Sequence, residues 1–257
     1  MKLLKIIGAT AGGFFVLAGV AVAQPQMGGG MPGWNAAMTR LFGDVKAFSA
    51  RADMRALDKA GKESISMTMG FALLDEKVRL VIDLAQMKSA QMPPGAAAQL
   101  KQMGMDRMTV IVFPPKKSMY IIYPGLQAYV DMPVPNEDGL GDKNIKIDKT
   151  KLGNETIDGH PCVKNKVIMT DDKGQKSDAI VWNATDLKEF PVQMQMNDKE
   201  TTVVMRYKDI KLANPDAKQF TAPAGYSKHT DMMQLMQVAV QKVTPGAGAP
   251  AGGARKQ

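Results

Sequence analysis

Along residues 48–84 apolar and polar side chains take turns. Phe48, Ala50, Ala52 and Met54 alternate with Ser49, Arg51, Asp53 and Arg55. In SISMTMGF, Ser64 to Phe71, the positions Ile65, Met67, Met69 and Phe71 face one way, and Ser64, Ser66 and Thr68 the other. Val78, Leu80, Ile82 and Leu84 carry the period on past Asp75-Glu76. A period of two is that of a strand with one buried face. A short reversal joins antiparallel strands, because parallel ones need long crossovers. The same arrangement returns three times. Residues 108–113 and 118–123 flank Pro114-Pro115-Lys116-Lys117, and 163–170 and 177–182 flank a turn with Asp172-Lys173-Gly174. Residues 192–196 and 201–207 flank Asn197-Asp198-Lys199. Four hairpin-like units predict a large antiparallel sheet. A sheet of that size twists and curls into a barrel, a part-barrel or a sandwich.

Three stretches switch to a helical period. Trp34, Met38, Leu41 and Phe42 share a face, and Gly43 is a stop signal. Residues 94–105 (PGAAAQLKQMGM) are alanine-rich and carry Leu100 and Met103. Met232, Leu235, Met236, Ala239, Val240 and Val243 form one apolar face, opposite Gln234, Gln237 and Gln241. A membrane-surface helix would be more basic on its polar side, so this one is expected to pack on the sheet. The pattern predicts a many-stranded curved sheet with three helices available to cover one face.

The ends set the compartment. Lys2 and Lys5 precede an apolar run, Ile6 to Val22, and Ala21-Val22-Ala23 fits a signal-peptidase site. Residues 1–23 read as a secretory signal cleaved after Ala23, with no cysteine near the cut to carry a lipid. The mature protein is then periplasmic. Residues 24–33 form a glycine- and proline-rich flexible leader, 34–243 a single domain, and 244–257 a disordered low-complexity tail. Loss of the signal lowers the formal charge from +8 to +6. No dense basic block with interleaved aromatics is present, which argues against nucleic acid. Attraction to an anionic membrane surface stays open. Cys162 is the only cysteine, so no internal disulfide forms, and a packed core must hold a monomer together.

Catalytic signatures are absent: no phosphate-binding Gly-Lys-Ser/Thr loop, no His-Glu-x-x-His, no Gly-x-Ser-x-Gly. The one candidate is DGHPC, Asp158 to Cys162, either as a Cys-His pair or as a turn followed by a small buried thiol. Neither an enzymatic role nor a cofactor is predicted. Methionine is the outlier, 21 residues against 8 Phe. The M-x-M pairs Met67/Met69, Met103/Met105 and Met194/Met196 could offer thioethers to Cu(I). They could equally supply a flexible apolar lining that adapts to varied acyl chains, or belong to a merely methionine-rich core.

The segments LGNETIDGHPCVKNKV (152–167), AIVWNATDLKEFPVQM (179–194) and YKDIKLANPDAKQFTAPAGYSK (207–228) resemble a bacterial secreted family of unknown function related to the outer-membrane lipoprotein-sorting (Lol) carriers. The resemblance implies an α+β, mainly antiparallel half-barrel whose helices cover the concave face over an apolar cavity. It further implies a non-enzymatic carrier or sensor of a lipid or acylated protein. The expected lining is Met54, Met67, Met69, Phe71, Leu80, Ile82, Val110, Ile121, Met194 and Met205, with Leu100, Met103, Met233 and Met236 in the lid. The alternatives are a methionine-based copper(I)-binding protein, or an envelope scaffold without a ligand.

Overall fold

The computed structural model describes residues 40–89, 92–134, 145–170, 174–197 and 201–243. The expected signal, leader and tail lie outside them. Among the described residues, the first half of the chain supplies β1 (Ala47–Asp58), β2 (Glu63–Leu74), β3 (Lys77–Asp83), β4 (Lys88–Ser89), β5 (Arg107–Phe113), β6 (Ser118–Tyr123) and β7 (Ala128–Pro133). The second half supplies β8 (Lys146–Ile157), β9 (His160–Thr170), β10 (Lys176–Ala184), β11 (Phe190–Asn197), β12 (Thr201–Lys211) and β13 (Ser227–His229). The α-helices set out among the described residues are α1 (Ala96–Met103) and α2 (Met232–Val243).

All the strands join one open curved sheet in the order β13-β7-β6-β5-β3-β2-β1-β12-β11-β10-β9-β8, with β4 paired to β2 off this path. Each half is a meander, and β1 beside β12 sews the two together in antiparallel register. Among the described residues the one parallel pair is β13 with β7. Pro223 to Tyr226 leads into this last strand. Hairpin turns follow local chemistry. Asp158 and Gly159 both take positive φ, 50° and 87°, the geometry that matches the strands' right-handed twist.

The two faces differ. On the apolar face Phe42, Phe48, Phe71, Phe190 and Tyr207 are all buried in one cluster, with Phe42 to Phe48 at 4.7 Å and Phe48 to Phe190 at 4.8 Å between ring centroids. Phe42 reaches it from the segment before β1, which turns at Gly43. The other face is mostly polar, apart from a smaller cluster of Ala72, Ile111, Phe113, Ile122 and Phe220. Strand β5 thus buries side chains on both sides, as its run MTVIVF, apolar but for Thr109, allows.

Candidate binding site

Register brings together methionines that the sequence scatters. Met54 on β1 stands directly opposite Met67 on β2 and Met205 on β12, and Met205 stands opposite Met194 on β11. Four thioethers so form a row across four neighbouring strands, with directly opposed Cβ atoms about 5 Å apart. Met54 and Met205 are 1 % exposed and Met194 0 %, while Met67 is half-buried at the row's end. The buried Tyr207 hydroxyl donates to Met205 Sδ at 3.0 Å, and burial pushes that phenol well above its usual pKa. Burial likewise pushes Tyr123 up to about 12.

The other expected lining residues lie on the same face. Met69, Phe71, Leu80, Ile82 and Ile121 are buried in its cluster, and Val110 is half-buried against it. A side chain bordering a water-sized void keeps accessible surface; these buried ones keep almost none. Leu100, Met103 and Met236 are half-buried against the cluster, and α2 buries Leu235 and Ala239 in it. Met233 is instead 73 % exposed. Its neighbour Met232 packs against the cluster. The expected lining leaves out Phe48, Phe190 and Tyr207, which share this cluster. All three follow the strand period: Phe190 is in phase with Val192, Met194 and Met196 along β11, so the same alternation could have found it.

The helices meet the sheet at one tight point. Gly104, with φ at 72°, caps α1 and lies against the turn residue Gly125. A Cβ on Gly104 would sit 2.7 Å from the Gly125 carbonyl oxygen, closer than real side chains come. Lys242 Nζ, near the end of α2, donates to that same oxygen at 2.7 Å.

Cys162 and His160 do not form a reactive pair. The thiol is 3 % exposed and donates to the His160 carbonyl oxygen at 3.3 Å. His160 Nδ1 lies 2.8 Å from Asp186 Oδ2. Burial, helped by nearby carboxylates, pushes the thiol pKa up, against nucleophilic use. Among the described residues no cluster of three His, Cys, Asp or Glu could hold a metal, and no helix is long and apolar enough to cross a membrane.

Open grooves lie on the polar face. One of about 520 Å³ is lined by Arg55, Ser66, Lys88, Arg206, Lys208 and Asp53, among others. A second, of about 380 Å³, shares Thr68 with it and adds Arg51, Asp83 and Arg107. Asp53 receives Lys208 Nζ and Thr68 Oγ1, both at 2.8 Å. Partial burial pushes its carboxyl up, but these hydrogen bonds outweigh that and leave its pKa lowered. Arg206 is held by Gln193 Oε1 at 2.7 Å and Asp158 Oδ1 at 3.3 Å.

No family model and no curated protein matches the chain. Among solved structures it is similar to the lipoprotein LppX from Mycobacterium tuberculosis, at 11% identity over 68% of this chain and 93% of that one, with a TM-score of 0.37. It is also similar to LprF from Mycobacterium bovis, at 13% identity over 75% and 96% of the two chains, with a TM-score of 0.39. A LolA superfamily protein from Nitrosomonas europaea matches at 12% identity over 73% and 98%, with a TM-score of 0.36. The chain is thus similar in structure to the lipoprotein LppX, to LprF and to a LolA superfamily protein.

Proposed function

We propose that this chain is a non-enzymatic periplasmic carrier or sensor that binds a lipid or an acylated protein against the apolar face of its sheet. The reading takes residues 1–23 as a cleaved secretory signal and 34–243 as one half-barrel domain that works as a monomer. In it, α1 and α2 cover the concave face, and the lining residues named from sequence contact the ligand. The observation that supports it is the row Met67–Met54–Met205–Met194. Unbranched thioether side chains change rotamer and repack cheaply, so a wall built on them can receive chains of different shape.

The wall is packed on itself in the described form, so loading requires the helices to lift. Helix α1 buries no residue fully, and α2 buries only Leu235 and Ala239. Exposing Leu235 and the half-buried Leu100, Met103 and Met236 costs about 4–8 kcal/mol, taken as one whole and three half side chains at 1.5–3 kcal/mol for each whole one. An acyl chain returns about 0.8 kcal/mol for each methylene it buries. About ten methylenes therefore offset the opening, which favours long-chain ligands over small apolar molecules.

A ligand-free scaffold is a second reading, favoured by the dryness of the same wall. Native mass spectrometry of protein purified from its periplasm separates the cases. The expected result is a lipid mass that survives gentle ionisation and disappears in a folded Met67→Asp variant, since Met67 is the half-buried member of the row. Bound copper would instead make the row a Cu(I) site, and a bare chain would favour the scaffold. Undiminished lipid in the folded variant would move the ligand off this face.

A further inference from the structure

We propose that the larger groove on the polar face binds a phosphate-bearing anion, held between Arg55 and Lys88 over the hydroxyl of Ser66. The placement comes from strand register. Ser66 on β2 stands opposite Arg55 on β1 on one side and opposite Lys88 on β4 on the other. Neighbouring strands lie about 4.8 Å apart, so the two cations rise from backbones about 10 Å apart with a hydroxyl between them. Both side chains are long enough to converge on one ligand above that hydroxyl.

The fold sets this row up. Strand β3 pairs with β2 over Met69 to Leu74 only. The chain then turns through residues 84–86, where Asp83 accepts from the Ala85 N–H at 3.1 Å and from Gln86 Nε2 at 2.9 Å. That turn swings the two-residue strand β4 back beside β2 and places Lys88 opposite Ser66. Among the described residues neither Arg55 nor Lys88 has an ion-pair or hydrogen-bond partner, although other cations on this face are paired. Lys208 is held by Asp53, and Arg206 by Gln193 and Asp158.

The electrostatics favour an anion. Arg55, Lys88, Arg206 and Lys208 line the groove against two carboxylates, Asp53 and Glu63. Asp53 is already satisfied by Lys208 and Thr68, and Glu63 sits at the start of β2 opposite Leu57. A guanidinium fork, an ammonium and a hydroxyl on three sides suit a tetrahedral group with several acceptor oxygens better than a planar carboxylate. Arg55 and Ser66 alternate with Met54 and Met67 along their strands and so face away from the methionine row, although Met54 and Met67 also border the groove; the inference does not require a ligand on the methionine face.

The phosphate could belong to a lipid headgroup or to a soluble ester, and one experiment with two probes tells them apart. Flotation with vesicles of equimolar phosphatidylglycerol and phosphatidylcholine, against pure phosphatidylcholine, reads the bilayer source. Calorimetry with glycerol 3-phosphate reads the soluble one. The groove variant is Arg55→Ala with Lys88→Ala. The control is Lys149→Ala with Lys151→Ala, which removes the same charge from exposed positions on β8. Each basic residue at an anionic surface is worth about fivefold in affinity, so the groove variant should bind about thirtyfold more weakly. Binding of vesicles alone assigns a membrane headgroup, and binding of glycerol 3-phosphate assigns a soluble ester. If neither probe binds, or if the control loses as much as the groove variant, the site does not exist.

Discussion

Replacing Met54 by alanine tests whether the apolar face is solid. The side chain is 1 % exposed and stands between Met67 and Met205 in the centre of the row. Truncating a buried methionine loses its transfer energy and leaves a cavity, which together cost about 2–5 kcal/mol. Both flanking residues are flexible thioethers that can lean into the gap. The lower half of that range applies, about 2–3.5 kcal/mol. In a domain of this size that lowers Tm by about 4–14 °C. Met54→Leu, which nearly conserves volume, should cost less than about 1.5 kcal/mol. Urea unfolding of the three proteins, followed by circular dichroism, gives both differences from the shift in midpoint at constant slope. A cost below about 1 kcal/mol for the alanine variant would mean that Met54 borders empty space. The wall would then be neither dry nor fully occupied.

Two further outcomes follow from buried titratable groups. Cys162 should react with iodoacetamide at neutral pH only as fast as the protein unfolds, because burial both shields the thiol and holds it protonated; rapid labelling of the folded chain, with loss of ligand, would revive the Cys-His reading. Stability should also fall as pH rises above about 10, where an unfolded tyrosine ionises, while the fold keeps Tyr123 protonated to about 12. The native state then binds more protons than the unfolded one, so stability declines with pH through that window. The contribution of Tyr123 to the decline is about 2–3 kcal/mol. Urea midpoints measured across that window should fall less steeply in Tyr123→Phe; identical slopes for both proteins would contradict the assignment.

Strands with one apolar face were legible, and those without one were not. Strands β1 to β3 alternate cleanly, so their existence and their buried residues follow from the sequence. Strand β8, KIDKTKLGNETI, is exposed along nearly its whole length and has no alternation to find. Only its pairing with β9 defines it. Strand β4 is two residues long, below any periodic signal. The methionine row was hidden for another reason. M-x-M places two side chains on one face of a strand, but opposing Met54 to Met205 requires β1 to meet β12, a long-range choice made by packing. Helix phase explains Met233. Met232 and Met233 are adjacent and equally apolar, and only contact with the sheet decides which of them turns inward.

The contact between Gly104 and Gly125 makes the two helices one mechanical part. Three segments remote in sequence converge where no side chain fits, and Lys242 ties the last turn of α2 to the very carbonyl that α1's cap rests on. A side chain added at either glycine would therefore press on both helices at once, so α1 and α2 are seated as a pair rather than one by one.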